Sequence, residues 1–552
     1  MINTNREIDG ELFGRLVLSG SARLQSKIKE INELNVFPIP DGDTGDNMFL
    51  TIKGGVDKLV AEKSDNLSVK AKALSDGMLL NARGNSGVIL SQLFFGLAEG
   101  LEGKTCVKLN EFCNALAQGV KRAYKSVVNP VEGTILTVAR EAVENTSNNV
   151  NEEISLADFF KEFLFEMKKS LDNTPELLET LKESGVVDSG GAGLLYIVEG
   201  FYKAIIGEDV ESEIAITDAS ATTLDFSKFN ADSEMEFGYC TELLLQLQNS
   251  KVDVDNFSVD IIIDYLNTLG DSIVAFKTGS VIKLHVHTMT PYKVLQFCQQ
   301  FGEYLTVKIE NMTLQHNEAT DVKPKAKTKK ARKKFAVVTV ASGEGLINVF
   351  KEMGADFVID GGQTNNPSSE AFIEAFDEVN ADYIFVFPNN GNIVLTAKQA
   401  GKIYTQSDVR VIESKNIGQG YSALSMMDFS CDDADEIEEQ FSQDIKGVVT
   451  GMVSKAVRTT VVNGVSIEKD DYIGFTDHTM LVAEKDKISV AKSLVDKLSV
   501  DEKSFLIIVY GKDATEEQAK ELENSIISKY VDLEVYLVNG GQAVYDFIII
   551  TE

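Results

Sequence analysis

The sequence predicts a multidomain protein, with an all-α N-terminal domain, a small α+β module in the middle and an α/β C-terminal domain. Three observations carry this. A length of 552 residues accommodates about three domains of roughly 150 residues each. The hydrophobic period changes twice along the chain, from helical to alternating to a strand–helix rhythm. Finally, "KPKAKTKKARKK" at 323–334 holds eight Lys or Arg and no acid, the composition of a solvated tether. A polar, acidic stretch at 207–234 marks a second boundary. The expected blocks are residues 1–205, 235–322 and 335–552, with 323–334 as a basic linker.

The first block reads as helices. In "LFGRLVLSGSARLQSKIKEINEL", Phe13, Leu16, Val17, Leu24, Ile28, Ile31 and Leu34 recur at three- and four-residue steps. Similar patterns return in "LSQLFFGLAEGL", "LADFFKEFLFEMKKSL" and "GGAGLLYIVEGFYKAI". The second block alternates: "FGYCTELLLQL" and "DSIVAFKTGSVIKLHVHT" read as strands, the latter a hairpin turning at Thr278-Gly279-Ser280, beside a helix near "PYKVLQFCQQFG". The third block, from "FAVVTVASGEGLINVFKEMGADFVI" through "ADYIFVFPNNGNIVLTAKQA" and "VRVIESKNIGQGYSALSMM", predicts a mainly parallel sheet with covering helices.

Composition narrows the function classes. With 53 Lys or Arg against 85 Asp or Glu, the net charge of −32 repels nucleic acid and anionic lipid, and favours basic protein surfaces as partners. Residues 335–552 hold 17 Lys or Arg against 37 Asp or Glu, part of the excess in "CDDADEIEEQ", which is expected to be mostly solvated. Five scattered cysteines form no disulfide framework. No signal-peptide h-region or membrane-length apolar run is present in the sequence, so a cytoplasmic protein without a transmembrane segment is expected.

The chemistry starts in "NVFPIPDGDTGDNM", residues 35–48. Asp41 and Asp43 are hard oxygen ligands, Pro40 restrains the approach, and Gly42 and Gly45 permit a tight turn, a combination suited to a divalent cation. An EF-hand fails on register, because with Asp41 at position one, position six is Asp46 and position twelve is Ile52. Two or three carboxylates suit Mg²⁺, which keeps water and takes further ligands from phosphate, so a nucleotide is the expected second half. The plainer alternative is an acidic turn with Asp43 or Thr44 as a helix N-cap.

Two further turns open helices in the same block. In "NARGNSGVILSQ", Gly84, Asn85, Ser86 and Gly87 offer backbone N–H groups and a hydroxyl at a helix start, an anion site for phosphates. In "VVDSGGAGLLYI", Asp188, Ser189, Gly190 and Gly191 repeat the arrangement. Three such turns in one bundle suggest one rim. "AEGLEGKT" ends like a Walker A motif, but the required first glycine is Ala98 and no strand precedes it.

In "KLHVHT", strand alternation puts His285 and His287 on one face and Leu284 and Val286 on the other. Three readings stand at this point: ordinary surface histidines, a Zn²⁺ site completed by a cysteine, and a catalytic group.

The motifs "LNVFPIPDGDTGDNM", "ARGNSGVILSQ", "NPVEGTILTVAREA" and "SGVVDSGGAGLLYI" resemble the Dak2, dihydroxyacetone kinase L-subunit-like nucleotide domain, in the version found in the catalytic subunit of bacterial fatty acid kinase. The resemblance continues through "FGYCTEL", "KLHVHT", "ENMTLQH", "GGQTNNPS" and "IGQGYSAL", nearly the whole chain. It implies an antiparallel helical barrel holding ATP and two Mg²⁺ ions. It also implies transfer of the γ-phosphate to a fatty acid carboxylate presented by a separate fatty-acid-binding protein, giving an acyl phosphate for phospholipid synthesis. Asp41 and Asp43 match the metal-binding aspartates, and Thr44, Asn47, Asn85 and Ser86 the phosphate-contacting turns. Simpler dihydroxyacetone kinase subunits place a third metal-binding aspartate where this chain has Asn35 and Val36, which leaves Asn35 as the candidate third ligand. Asp46 is an extra acid in the first turn of its helix. Cys240 is the family's third member of the cluster with His285 and His287, Glu242 lies one alternation further on, and the family favours the catalytic reading of that cluster.

The third block is similar to DegV-type fatty-acid-binding proteins, and its expected role is docking the acyl carrier. A homodimer is expected. Two alternatives to a fatty acid kinase are a dihydroxyacetone-type polyol kinase, for which the chain lacks a separate sugar-binding unit with a covalent-binding histidine, and a non-catalytic lipid-sensing scaffold, which could dispense with Asp41 and Asp43.

Overall fold

Asp9 opens the helical domain by capping α1 (Gly10–Ser26), its carboxylate accepting from the Leu12 amide at 2.8 Å. Leu12, Phe13, Leu16, Val17 and Leu24 then fall on one buried face. The single helix that the periodicity predicts through residue 34 breaks at Lys27, which sits at φ −115° and ψ 5°. The Ser26 hydroxyl donates to the Arg23 carbonyl at 2.8 Å, competing with the helical ladder, and α2 (Ile28–Leu34) starts afresh. The structure is a computed structural model that describes residues 6–35, 42–148, 150, 154–208, 239–254, 256–278, 280–311, 332–363, 365–456, 459–477, 479–500 and 503–552.

Further helices complete the domain: α3 (Thr44–Ala61), α4 (Leu67–Asn81), α5 (Gly84–Gly100), α6 (Leu109–Ser126), α7 (Ile135–Ser147), α8 (Leu156–Asp172), the short α9 (Thr174–Leu177) and α10 (Glu179–Ser184), and α11 (Ser189–Ile206). One shared core joins them, with Phe13, Phe112, Phe159 and Phe160 among its largest fully buried side chains. A two-stranded ribbon pairs β1 (Glu7–Asp9) with β2 (Cys106–Lys108). Helices α3 and α4 approach so closely that a Cβ on Gly77 would lie 2.3 Å from the Gly54 carbonyl oxygen. Packing α3 against α4 and α5 is what brings the starts of α3 and α5 side by side.

The chain divides into two compact units, Met1–Thr217 with Lys330–Glu552, and Asp218–Lys329. The second unit holds a four-stranded antiparallel sheet in the order β4-β5-β3-β6. Its strands are β3 (Tyr239–Leu247), β4 (Gly270–Thr278), β5 (Val281–Thr288) and β6 (Gly302–Asn311). Leu243, Leu245, Ile282, Leu284 and Val286 are buried beneath α12 (Asp260–Leu266) and α13 (Pro291–Cys298). The predicted hairpin and α13 are present; β6 and α12 are additions to the elements that the sequence pattern predicts.

In the first unit, β7 (Lys333–Ala341) begins inside the basic stretch: Lys333 and Lys334 are strand residues, while 323–331 lie outside the described residues. Parallel pairing joins it to β8 (Phe357–Asp360), β9 (Ala381–Phe387) and β10 (Asp408–Val411), in the order β10-β9-β7-β8. The second half departs from the mainly parallel expectation. Its six-stranded sheet, β15-β14-β11-β18-β16-β17, is antiparallel except for β16 with β17. Here β11 is Val449–Lys455, β14 Tyr472–Thr476, β15 Thr479–Glu484, β16 Phe505–Tyr510, β17 Glu534–Asn539 and β18 Tyr545–Thr551. Only two residues separate β14 from β15, too few for a parallel crossover. A separate ribbon, β12 (Thr460–Val462) and β13 (Val465–Ile467), turns on Asn463 and Gly464 at φ 50° and 77°, an Asn-Gly hairpin signal legible in "VVNGVSI". The acidic run becomes the helix Ala434–Asp444, which buries Ile437 and Phe441 and gives Asp435 and Glu438 to Arg410 at 2.5 and 3.0 Å. Its acids stay mostly solvated, as expected, with Asp435 85% exposed even in its ion pair.

Candidate active site

The first turn places Asp43 immediately before α3, at φ −113° and ψ −1°, with no side-chain cap of the helix. Its backbone carbonyl accepts from the Asn47 amide at 2.8 Å, while its carboxylate points elsewhere, so the capping alternative does not describe this side chain. Asp43 Oδ2 accepts from Asn366 Nδ2 at 2.6 Å, in a buried contact across 323 residues of sequence. Burial pushes the Asp43 pKa from an ordinary 3.8 up to about 6, against the pull of hydrogen bonds from Asn47 and Asn366, and neighbouring Asp46 adds to the rise. Asp41 lies outside the described residues. Asp46, the extra acid, is exposed and accepts from Asn32 Nδ2 at 2.7 Å.

Asn35 and Ser189 converge on Thr44. Asn35 Nδ2 donates to Thr44 Oγ1 at 3.1 Å, and Ser189 Oγ stands 3.3 Å from the same oxygen, so the starts of α3 and α11 share a hydroxyl contact. Asp188 caps α11 by accepting from the Gly191 amide at 2.7 Å, and burial raises its pKa to about 6. That carboxylate, expected among the cofactor contacts, is engaged by its own helix. Gly190 packs against Ile135, where a Cβ would lie 3.2 Å from the Ile135 Cβ.

At the second turn, Arg83 precedes α5 in extended geometry and Gly84 adopts φ +57°. A Cβ on Gly84 would lie 2.7 Å from Asn47 Nδ2 and 3.3 Å from Asn366 Nδ2, so glycine is needed for both space and backbone conformation. Thr51 ties the two helices together: its hydroxyl donates to the Asn47 carbonyl at 2.6 Å and accepts from the Arg83 amide at 3.3 Å. Gly87 N bonds back to the Arg83 carbonyl at 3.1 Å as the ladder begins, and the amides of Gly84, Asn85 and Ser86 precede it at the anion-favouring end of the helix.

The C-terminal domain meets this turn directly. Arg83 Nη1 donates to the Asn366 carbonyl at 3.1 Å, Asn85 Nδ2 to Asn392 Oδ1 at 3.3 Å, and the Ser369 amide to the Ala82 carbonyl at 3.2 Å. Among the described residues, three buried polar atoms at this junction have no hydrogen-bond partner: Arg83 Nε, Asn85 Oδ1 and Asn366 Oδ1. The Asp43 carboxylate and the amide oxygens of Asn85 and Asn366 are hard-oxygen donors of the kind that Mg²⁺ takes, at a junction that also holds an anion-favouring helix end.

Three family models match the chain in order: the DAK2 domain over residues 38–203, the FakA-like fatty acid kinase middle domain over 236–319, and the FakA-like fatty acid kinase C-terminal domain over 336–552. Protein YloV of Bacillus subtilis strain 168 is 38% identical to the chain, over 99% of this chain and 100% of that protein. The chain belongs to the FakA-like fatty acid kinase family. Among solved structures, a Thermus thermophilus DegV family protein described for fatty acid binding aligns at TM-score 0.31 and 10% identity, over 40% of this chain and 99% of that one. The dihydroxyacetone kinase of C. freundii, solved with AMP-PNP and Mg²⁺, aligns at TM-score 0.29 and 16% identity, over 37% of this chain and 35% of that one.

In this FakA-like chain, the DAK2 match spans all three turns, and the C-terminal match spans Asn366 and Asn392. The middle match contains Cys240, His285 and His287. Backbone register sets Cys240 opposite His287 and Glu242 opposite His285 on neighbouring antiparallel strands. Paired positions share a sheet face, and the intervening Thr241, Leu243, Leu284 and Val286 are buried on the other. The side chains of Cys240, Glu242, His285 and His287 lie outside the described residues, and with them the Zn²⁺ alternative. Among the described residues, no group of three or more His, Cys, Asp or Glu is gathered for a metal ion, and no helix is long and apolar enough to cross a membrane.

Asn366, Asn392 and Arg83 carry no signal in the sequence pattern that marks them for this site. "GGQTNNPS" signals a helix start through Pro367 and Ser368, and Ser368 does cap the helix Ser369–Val379 through the Ala371 amide at 3.2 Å. Nothing local tells that the preceding asparagine reaches Asp43.

Proposed function

We propose that the chain is the ATP-binding component of a fatty acid kinase: it transfers the γ-phosphate of ATP to the carboxylate of a fatty acid presented by a separate DegV-type fatty-acid-binding protein. The observation that carries this reading is the meeting of the α3, α5 and α11 starts around Asp43, with buried oxygen donors left unpartnered beside open helix amides. Asp41, Asp43 and Asn35 are assigned to Mg²⁺; Thr44, Asn47, Gly84, Asn85, Ser86, Gly87, Asp188, Ser189 and Gly190 to the nucleotide side of the rim. Bound Mg²⁺ supplies charge neutralisation at the phosphates. The helical domain is read as a barrel, residues 335–552 as a DegV-like docking domain, and the protein as a homodimer.

The acceptor is already anionic. A carboxylate oxygen forms the new bond to the γ-phosphorus as the bond to the β,γ-bridging oxygen breaks, ADP leaves, and no proton has to be removed from the acceptor. What the reaction requires is suppression of repulsion between carboxylate and phosphate, a task suited to an imidazole pair. Cys240, His285 and His287 are assigned that positioning and neutralising role. The test is ATP consumption with fatty acid, with and without a DegV-type carrier, trapping product with hydroxylamine. Carrier-dependent hydroxamate is expected; ADP formed without any trappable acyl product would refute the carboxyl acceptor.

A further inference from the structure

The amide of Asn366 belongs to a different domain from the carboxylate it grips. Asn366 is 3% exposed and Asp43 9%, and their 2.6 Å hydrogen bond is buried. The loop carrying Asn366 is fixed at both ends of this contact: its carbonyl accepts from Arg83, and two residues on, Ser368 caps the helix Ser369–Val379, whose first amide bonds the Ala82 carbonyl. Beyond it, Gln399 fastens the same faces together. Its Nε2 donates to the Leu79 carbonyl at 2.8 Å, and its Oε1 accepts from Gln92 Nε2 at 2.8 Å. Gln399 does not reach Asp43. The Asn366 side chain therefore does something its neighbours do not. It commits its donor to Asp43 and leaves its Oδ1 buried, without a hydrogen-bond partner among the described residues.

We infer that Asn366 is a positioning residue of the cation–nucleotide site, supplied by the C-terminal domain: it holds the Asp43 carboxylate in one orientation and presents its own amide oxygen beside it. This rests on the kinase reading above and deepens it. A buried carboxylate with a free χ rotation would have to lose that freedom when a cation binds; clamping by Asn47 and Asn366 removes this cost in advance. The unpartnered Oδ1 of an amide only 3% exposed is a polar group whose desolvation is offset only when a ligand or its water occupies the site. The C-terminal domain is thus part of the nucleotide site, and displacement of its Asn366 loop loosens Asp43. By linkage, a ligand at Asp43 resists that displacement to the same degree.

The experiment uses the full chain and Mn²⁺ as probe, followed by electron paramagnetic resonance, with and without a non-hydrolysable ATP analogue. Asn366→Ala is expected to weaken Mn²⁺ binding about tenfold, the effect of losing a hydrogen bond to a charged group, while Gln399→Ala stays within about twofold of the native chain. Equal binding by Asn366→Ala and the native chain, or an equal loss in Gln399→Ala, overturns the inference. A native chain that binds Mn²⁺ but not the analogue defeats the kinase reading instead, and the Mn²⁺ arm still decides the role of Asn366. Asn366→Asp guards against a folding artefact. Two adjoining carboxylates should lower its Tm without divalent cation, and Mg²⁺ should restore more Tm than it adds to the native chain. A Mg²⁺ response no larger than native counts against the site.

Discussion

Replacing Asp43 with Asn should make the protein more stable and less functional. Burial, the dominant influence, raises the Asp43 pKa from 3.8 to about 6. A gap of about two pH units corresponds to roughly 3 kcal/mol of destabilisation once the folded group is forced to ionise. The sign follows from proton binding: the folded state holds this proton more tightly than the unfolded state. The penalty is therefore absent below pH 4, grows as pH rises towards 6 and is complete above it. Asparagine keeps an oxygen that can accept from Asn366 Nδ2 and carries no charge. The assay is urea denaturation of both proteins in chelator at pH 7.5 and again at pH 4. Asp43→Asn should be more stable by about 2–3 kcal/mol at the higher pH and near parity at the lower. Saturating Mg²⁺ should then stabilise the native chain more than the variant, because the variant has lost one of the two carboxylates assigned to the cation. A variant that is less stable than the native chain at pH 7.5 without cation would refute the account of Asp43 as a carboxylate held ready for a cation.

Gly84→Ala should cost about 1–2 kcal/mol from its left-handed backbone alone, and more as its Cβ meets Asn47 Nδ2; equilibrium denaturation together with nucleotide titration checks both effects. Cys240→Ala, His285→Ala and His287→Ala should each lower phosphoryl transfer while leaving ATP affinity within about twofold, since none of the three belongs to the unit that contains Asp43; loss of stoichiometric Zn²⁺ in all three would assign them to a metal site instead. Carrier binding should weaken as ionic strength rises towards about 1 M, because residues 335–552 hold 37 acids against 17 bases; calorimetry across a salt series reads this directly, and salt-independent binding speaks against an electrostatic docking face.

The sequence by itself determined the parts whose causes are local. Helix starts at Asp9, Asp188 and Ser368 follow from a side-chain oxygen and an amide three residues on. The alternation that buries Leu284 and Val286 is the pleat of one strand, readable from "KLHVHT" alone. Glycine-rich turns before α5 and α11 were legible because each is a few residues of backbone chemistry. The break at Lys27 was hidden within an uninterrupted apolar period, since the Ser26 hydroxyl competes with the ladder without disturbing that pattern. Sheet direction in the C-terminal half depended on connection length and on which strands β18 entered between, a matter of pairing partners far apart in sequence. Tertiary structure alone decided the surroundings of Asp43. A carboxylate becomes a buried, weakly acidic group only when another domain removes its water, and the amide that replaces that water, Asn366, lies 323 residues away, where no local period or turn rule can reach.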